Sequence, residues 1–347
     1  MVYLFKRANK YPMSARVGIV GFRGYSGVEL VKILDRHPGV EPVLLEHRAD
    51  SADRPLPRGS VARLRLPCTA QAAADSGLAA VLLATPPEVS MNLAPAMLAV
   101  GIKVVDLSGA FRLRTVENYQ HWYKEPHSEP ELLATAAYGL PEFQRESIRP
   151  ARLVANPGCY PTAANLALRP LVAAGVVERS HGIVCDGKSG VSGAGRKPSL
   201  KTSFCEVTDN LSVYSILRHR HVPEVLMHSS LEESEFSFTA QLLPLERGIL
   251  ETIYFRVTAG TTAARLIEIY ERQYAHEPFV RLYDPGQVPD LKAVQYTNFC
   301  DIGASVNEAT GRAVVVSVID NLIKGAAGQA VQNLNLILGF AETEGLL

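Results

Sequence analysis

Cys159 has the clearest chemical setting in the chain. It stands in Asn156-Pro-Gly-Cys-Tyr-Pro-Thr162, where an apolar run from Arg152 gives way to a helical pattern. Proline is favoured in the first turn of a helix, so Pro161 puts Cys159 at a helix N-terminus. There the dipole favours a thiolate, and the thiol pKa is expected to fall. A strand–turn–helix that presents a thiol at a sheet edge suits a nucleophile. Cys68, Cys185 and Cys300 lack this setting and read as inert. His219 and His221 are one residue apart, with Arg220 between them. Imidazoles titrate where proton transfer at neutrality is easiest. A strand or loop there would send both rings to one side.

Two glycine-rich stretches offer anion sites. Gly21-Phe-Arg-Gly-Tyr-Ser-Gly27 lies between a strand pattern and a helix pattern. Gly21, Gly24 and Gly27 permit a tight turn and close approach of a pyrophosphate, with Tyr25 and Ser26 at the helix N-terminus. The spacing is G-x-x-G-x-x-G, so a plain βα turn is the alternative. The next strand ends at Glu46-His47-Arg48. A carboxylate there favours NAD; an arginine favours the 2′-phosphate of NADP, and Arg48 tilts the reading to NADP(H). The loop Ser189–Gly195 has hydroxyls and free N–H groups suited to phosphate or pyrophosphate. Ser189 and Gly190 are read as cofactor-side, and Ser192, Gly193 and Arg196 as phosphate-side, with Lys197 adjacent; a flexible linker is the alternative. Arg112 suits a bidentate grip on an acyl phosphate or a carboxylate, against a structural ion pair with Asp106 or Glu142. Asn156 joins it on the substrate side. Asn321 and Lys324 open the last helix, within expected reach of a cofactor carboxamide or phosphates, although a helix cap competes for Asn321.

A thiolate beside a dinucleotide site suggests one chemistry. The thiol captures an activated acyl group as a thioester, and a hydride reduces it to an aldehyde. A cysteine acyltransferase or hydrolase, with the glycine turn purely structural, is a second reading. A non-catalytic NADPH-sensing Rossmann protein is a third.

These residues need elements to hold them. Arg16–Gly21, Val43–Leu45, Ala79–Ala84 and Lys103–Asp106 are short apolar runs alternating with helical stretches, the βαβ pattern of a parallel sheet. Past residue 155 the pattern changes. Phe236–Leu242 and Glu251–Val257 alternate with period two around a turn at Leu245–Gly248, and Arg312–Ile319 is a further strand. Gly325–Phe340 reads as a long helix. The expected fold is α/β: a Rossmann-type doubly wound parallel sheet plus a second α+β domain with a mostly antiparallel sheet. Residues 1–157, completed by the C-terminal helix 320–347, are expected to form the NADP-binding domain, and 158–319 the catalytic domain.

The 347 residues fit about two domains. Thirty-five basic residues balance 35 acidic ones, which argues against a general nucleic-acid binder. The longest apolar run, Leu78–Ala84, is far short of the ~18 residues of a membrane span. Five dispersed cysteines exclude a disulfide framework and a thiolate zinc site, so no metal is expected, and a reducing cytoplasm fits. The segment up to Met13 reads as an extension, with Met13 an alternative start. Any local anion site must concentrate positive charge, and Arg48, Arg112, Arg196, Lys197 and Lys324 are where it is expected.

The chain resembles the N-acetyl-gamma-glutamyl-phosphate reductases of the aspartate-semialdehyde dehydrogenase superfamily. The resemblance runs from about Arg16 onward. It rests on Gly24-Tyr-Ser-Gly27, Val105–Leu113, Tyr138-Gly-Leu-Pro-Glu142, Asn156–Thr162, Ser189–Arg196, His219–Glu224, Arg247-Gly-Ile-Leu250 and Asp320–Gln329, in the family's order. It implies reduction of N-acetyl-gamma-glutamyl phosphate by NADPH to N-acetylglutamate semialdehyde and phosphate. It also implies Cys159 as nucleophile, the pair His219 and His221 with His221 favoured as base, and a homodimer or homotetramer built through residues 158–319 as the oligomerisation domain. The chain departs at Ala84-Thr-Pro-Pro-Glu88, where the family commonly reads Leu-Pro-His-Gly. The aminoadipyl-phosphate reductase of lysine biosynthesis lacks the Asn-Pro-Gly-Cys-Tyr-Pro pattern, so Asn156–Pro161 favours the arginine pathway.

Overall fold

The computed structural model describes residues 14–47 and 63–347. The N-terminal extension and Arg48 lie outside the described residues. Seven strands form a first, wholly parallel sheet. They are β1 (Ala15–Val20), β2 (Val40–Glu46), β3 (Arg65–Pro67), β4 (Leu78–Leu83), β5 (Lys103–Asp106), β6 (Ala137–Tyr138) and β7 (Leu153–Ala155). Their spatial order is β3-β2-β1-β4-β5-β7-β6. Such strands are covered on both faces, which is why Val17, Ile19, Leu82 and Val105 are all fully buried. The order reverses at β1/β4, and ligands of open parallel sheets bind at the carboxyl ends beside such a switch.

The second sheet is mixed. It holds β8 (Ile183–Gly190), β9 (Ser212–Tyr214), β10 (Phe236–Leu243), β11 (Ile249–Arg256), β12 (Val280–Leu282), β13 (Cys300–Asn307) and β14 (Arg312–Ile319). Their order is β12-β13-β14-β11-β8-β10-β9. Most pairs are antiparallel, as expected; β10–β8 and β12–β13 are parallel. The segment Leu245–Gly248 is not the hairpin that its sequence suggests. β10 and β11 never pair, because β8 lies between them. The connection crosses the end of β8 at Gly190, where a Cβ would sit 2.7 Å from the Arg247 nitrogen. Without a side chain there, the chain passes close enough for Gly190 N–H to reach Gly248 O and Val191 N–H to reach Leu245 O.

The helix Cys159–Ala173 joins the two halves. It follows β7 directly, and its Tyr160, Leu166, Ala167 and Leu171 enter the core of the second sheet. The chain end returns to the first sheet. There Val331, Leu334 and Ile337 pack with Val17, Ile19 and Leu30. The predicted continuous last helix is broken at its start. Ile323–Ala327 is a π-helical turn, and the α-helix runs Gly328–Leu338. Single π turns within helices are frequent at functional sites.

Candidate active site

A cleft of about 650 Å³ opens between the carboxyl ends of the first sheet and the second sheet. The glycine turn forms one end. Gly21 takes φ +79° and a Cβ on it would lie 2.1 Å from Ala84 O; one on Gly27 would lie 2.2 Å from Gly21 O. Only glycine lets β1, β4 and the helix Tyr25–Leu34 meet so closely. That helix starts at Gly24 with no side-chain cap, so its first N–H groups remain for an anion. This cradle fits a dinucleotide. Gly24, Tyr25, Ser26 and Gly27 line the cleft; Gly21 lines an adjoining pocket with Leu45 and His47. Glu46 ends β2 as expected, beside Arg23 at 3.6 Å and Arg65 at 3.8 Å.

The departure at Ala84–Glu88 also faces the cleft. Pro87 occupies the first turn of the helix Pro87–Ala99, a position that needs no N–H donor. Thr85 Oγ1 meets Ser90 Oγ at 2.8 Å, and Ser90 donates to buried Asp106 at 2.6 Å. The loop is thereby anchored to β5.

Cys159 is half-buried at the first position of its helix, with Gly158 as N-cap. Its wall is the π turn: a Cβ on Gly325 would stand 2.8 Å from Cys159 Cβ. The expected drop in thiol pKa does not occur. Burial raises it to about 11, outweighing the Tyr160 backbone hydrogen bond and the Arg112 charge that lower it. The helix dipole argument fails here because desolvation of a thiolate is the larger effect. Cys159 therefore rests as a thiol and needs a proton acceptor. Alkylation of Cys159, read as loss of activity, should accelerate about tenfold per pH unit from about pH 7 to 10. A plateau below about pH 8 would contradict this setting.

His219 and His221 sit in a turn leading into the helix Val222–Ser229, not on a strand. Their ring centroids are 4.8 Å apart. His221 lines the cleft; its Nε2 lies 2.7 Å from where a Gly158 Cβ would be, and its Nδ1 is buried without a partner among the described residues. His219 stands behind it, edge-on to Tyr160, Tyr214 and Phe238, and accepts the His221 backbone N–H on Nδ1. Burial, then the Arg220 charge, lowers the His219 pKa to about 4. Burial, then His219, Arg112 and Arg220, takes His221 well below its usual value. Both are neutral at pH 7, so His221 is able to accept a proton.

Arg112 is buried and lines the cleft, but neither Asp106 nor Glu142 is its ion-pair partner. Nη1 meets Glu224 Oε1 at 3.2 Å, while Nε and Nη2 donate to Asn156 O and Leu107 O, both at 2.8 Å. Glu224 is a group that the sequence reading missed. It is wholly buried and also accepts Gly158 N–H and Tyr138 O–H, each at 2.9 Å. One carboxylate thus ties Arg112 to the turn that carries Cys159. Its place in the His219–Glu224 run was the available signal.

Ser192, Gly193, Arg196 and Lys197 line the cleft, whereas Ser189 and Gly190 end β8 and do not. Much of this loop is already spent. Ser189 Oγ donates to Gly190 O, and the N–H groups of residues 190, 191, 192 and 195 all have backbone acceptors. The free N–H groups expected there are therefore largely taken, several by the Leu245–Gly248 crossing. Asn321 lines the cleft, yet its side chain bridges Ser192 Oγ at 3.0 Å and Gly248 N–H at 2.6 Å. Asp320, not Asn321, caps the final turn by accepting Leu322 and Ile323 N–H. Asn156 lies outside the cleft, with its amide bonded to Ala326 O and Asn333.

Lys324 is the clearest correction. It does not reach the cleft. The π turn swings it inward, where Nζ meets Glu142 at 2.6 Å and Gln332 at 2.8 Å with both charged partners fully buried. The cleft still collects positive charge. Arg112, Arg196, Lys197 and Arg220 line it, and among the described residues no carboxylate does. Among the described residues no cluster fits a metal ion.

The glycine cradle and the thiol wall define a class of enzyme: a two-domain semialdehyde dehydrogenase. Residues 16–151 match the family model "Semialdehyde dehydrogenase, NAD binding domain", and 159–321 match "Semialdehyde dehydrogenase, dimerisation domain". The fold is that of aspartate semialdehyde dehydrogenase II from Vibrio cholerae, with TM-score 0.70 and 17% identity over 94% of this chain and 99% of that one. The Candida albicans aspartate semialdehyde dehydrogenase solved with NADP gives TM-score 0.67 at 14% identity, over 93% and 98%. Sequence relatives are nearer. The N-acetyl-gamma-glutamyl-phosphate reductase of Symbiobacterium thermophilum is 47% identical over 96% of this chain and 98% of its own length. That of Bacillus mycoides is 43% identical over 95% and 98%. The chain belongs to the N-acetyl-gamma-glutamyl-phosphate reductase family.

Proposed function

We propose that this cleft reduces N-acetyl-gamma-glutamyl phosphate to N-acetylglutamate semialdehyde and phosphate through a thioester on Cys159, a step of arginine biosynthesis. One observation carries the reading: Cys159, His221 and the glycine cradle open on one cleft whose charged lining, among the described residues, is all cationic. The Cys159 thiol gives its proton to His221 Nε2, and the sulfur attacks the acyl carbon. Arg112 faces the leaving phosphate, with Glu224 fixing the guanidinium. NADPH, held at Gly24–Gly27, supplies the hydride when bound. His221 returns the proton as the semialdehyde leaves and the thiol reforms. His219 orients His221 through the bond to its backbone.

The remaining assignments follow the same reading. Residues 1–157 with 320–347 are assigned to hold the cofactor, and 158–319 to supply the histidines and the self-association surface. That the second sheet leaves Val184 and Tyr254 exposed on its outer face supports a homo-oligomer built there. Among the described residues no helix is long and apolar enough to cross a membrane, which agrees with a cytoplasmic enzyme.

The direct test runs the reaction backwards. N-acetylglutamate semialdehyde, phosphate and NADP together should generate NADPH, with none formed when phosphate is omitted. The aminoadipyl homologue, supplied in its place, should be used at least about tenfold less well, a difference of one methylene in a shaped pocket. Equal use of both, or turnover without phosphate, would overturn the reading.

A further inference from the structure

The substrate has two anionic groups: the acyl phosphate that reacts and an α-carboxylate that does not. Arg112 belongs to the reacting end. It is the cation bearing on the Cys159 thiol, and Asn156, Glu224 and Leu107 hold three of its N–H groups. Arg220 is different. It is exposed, lines the cleft from the turn between the histidines, and has no hydrogen bond or ion pair among the described residues.

Tyr123 lines the cleft as well, from the end of the helix Val116–Tyr123. Its ring is fixed. It stacks on buried Tyr119 with centroids 4.6 Å apart and planes at 3°. Its tip rests on Gly109, where a Cβ would lie 2.0 Å from the hydroxyl. That hydroxyl is buried and has no partner among the described residues. After burial itself, the charges it feels come from Arg112, Glu224 and Arg220, in that order. It is thus near both arginines and bonded to neither. Burial holds the phenol protonated, so it remains a donor. A buried donor left without a partner is costly, and a ligand oxygen would satisfy it.

We propose that Arg220 and Tyr123 form the subsite for the α-carboxylate, Arg220 supplying the charge and Tyr123 a fixed hydroxyl donor. A free, exposed guanidinium at the cleft rim suits the end of the substrate that does no chemistry. The two groups come from opposite lobes, so both ends of the substrate are fixed only within the assembled cleft. This placement rests on the roles proposed for Cys159 and Arg112.

The test compares N-acetylglutamate semialdehyde with its α-methyl ester in the reverse reaction. The wild type should prefer the acid by about tenfold or more in kcat/KM. Arg220→Met should cut that preference to within about threefold by raising KM for the acid, with KM for phosphate and NADP unchanged. Tyr123→Phe, which keeps the ring stack, should lose about three- to tenfold of the same preference. An intact acid preference in Arg220→Met, or a change confined to the phosphate KM, would overturn the proposal. Failure of the thioester reading would appear separately, as turnover retained by Cys159→Ser. Arg220 is exposed, so an unchanged thermal unfolding curve excludes a folding defect in that variant.

Discussion

Cys159→Ser is expected to lose NADPH-dependent turnover by a factor of about 10⁴ or more while binding NADPH with unchanged affinity. The size follows from what the thiol does in both halves of the reaction. A serine hydroxyl is far less acidic than a thiol, and among the described residues neutral His221 is the one imidazole in the cleft wall to take its proton. Even an ester formed on serine would be a poorer hydride acceptor than a thioester. The cradle at Gly24–Gly27 does not change, so NADPH fluorescence titration should give the wild-type dissociation constant. Turnover above about one per cent of wild type would move the nucleophile elsewhere. Lost NADPH binding would show that the substitution disturbed the cleft as a whole.

The second large effect concerns stability. Lys324→Met should cost about 3–5 kcal/mol, because it leaves the Glu142 carboxylate buried with no counter-charge. Glu142 Oε2 already lacks a partner among the described residues, and Gln332 alone would then face Oε1 at 3.3 Å. Chemical denaturation reads the loss as a lower midpoint at unchanged slope. Adding Glu142→Gln to Lys324→Met should recover most of it, since the uncompensated charge is gone. The same variant separates two roles. Were Lys324 a phosphate ligand, its loss would raise KM for NADP and leave the midpoint where it was.

Lys324 also shows where reading from sequence stops. A lysine at the head of a helix after Asn321 looks like an anion ligand, and local pattern holds nothing against it. Its partner is 182 residues away and depends on a π turn that rotates the side chain inward. Glu224 was hidden for the same reason: its link to Arg112 spans 112 residues. The glycine turn, the Cys159 segment and the paired histidines were legible because each is a local strand–turn–helix or turn motif. The parallel first sheet was legible from its apolar runs. The order of the second sheet was not, because Leu245–Gly248 carries the residues of a hairpin turn but crosses a third strand. The Cys159 pKa was misjudged for a physical reason. The helix N-terminus is visible in sequence, whereas the burial that overrides it comes from Gly325 and the second sheet.

The same long-range ties set how ligands enter. Arg247, buried, grips Glu29 of the glycine-turn helix at 2.9 Å and Asp320 at 3.3 Å. Asn321 bolts Ser192 to Gly248, and Lys324 pins the chain end to Glu142. Of these, the Arg247 and Asn321 contacts join the two lobes on that side. A further tie across the mouth is Arg196, which donates to Arg23 O and lies over the Tyr25 ring at 5.7 Å. This tie is made by one exposed side chain on a short loop. Separating the lobes would therefore break buried charged contacts on one side, which is costly, whereas releasing Arg196 on the other gives up one exposed contact.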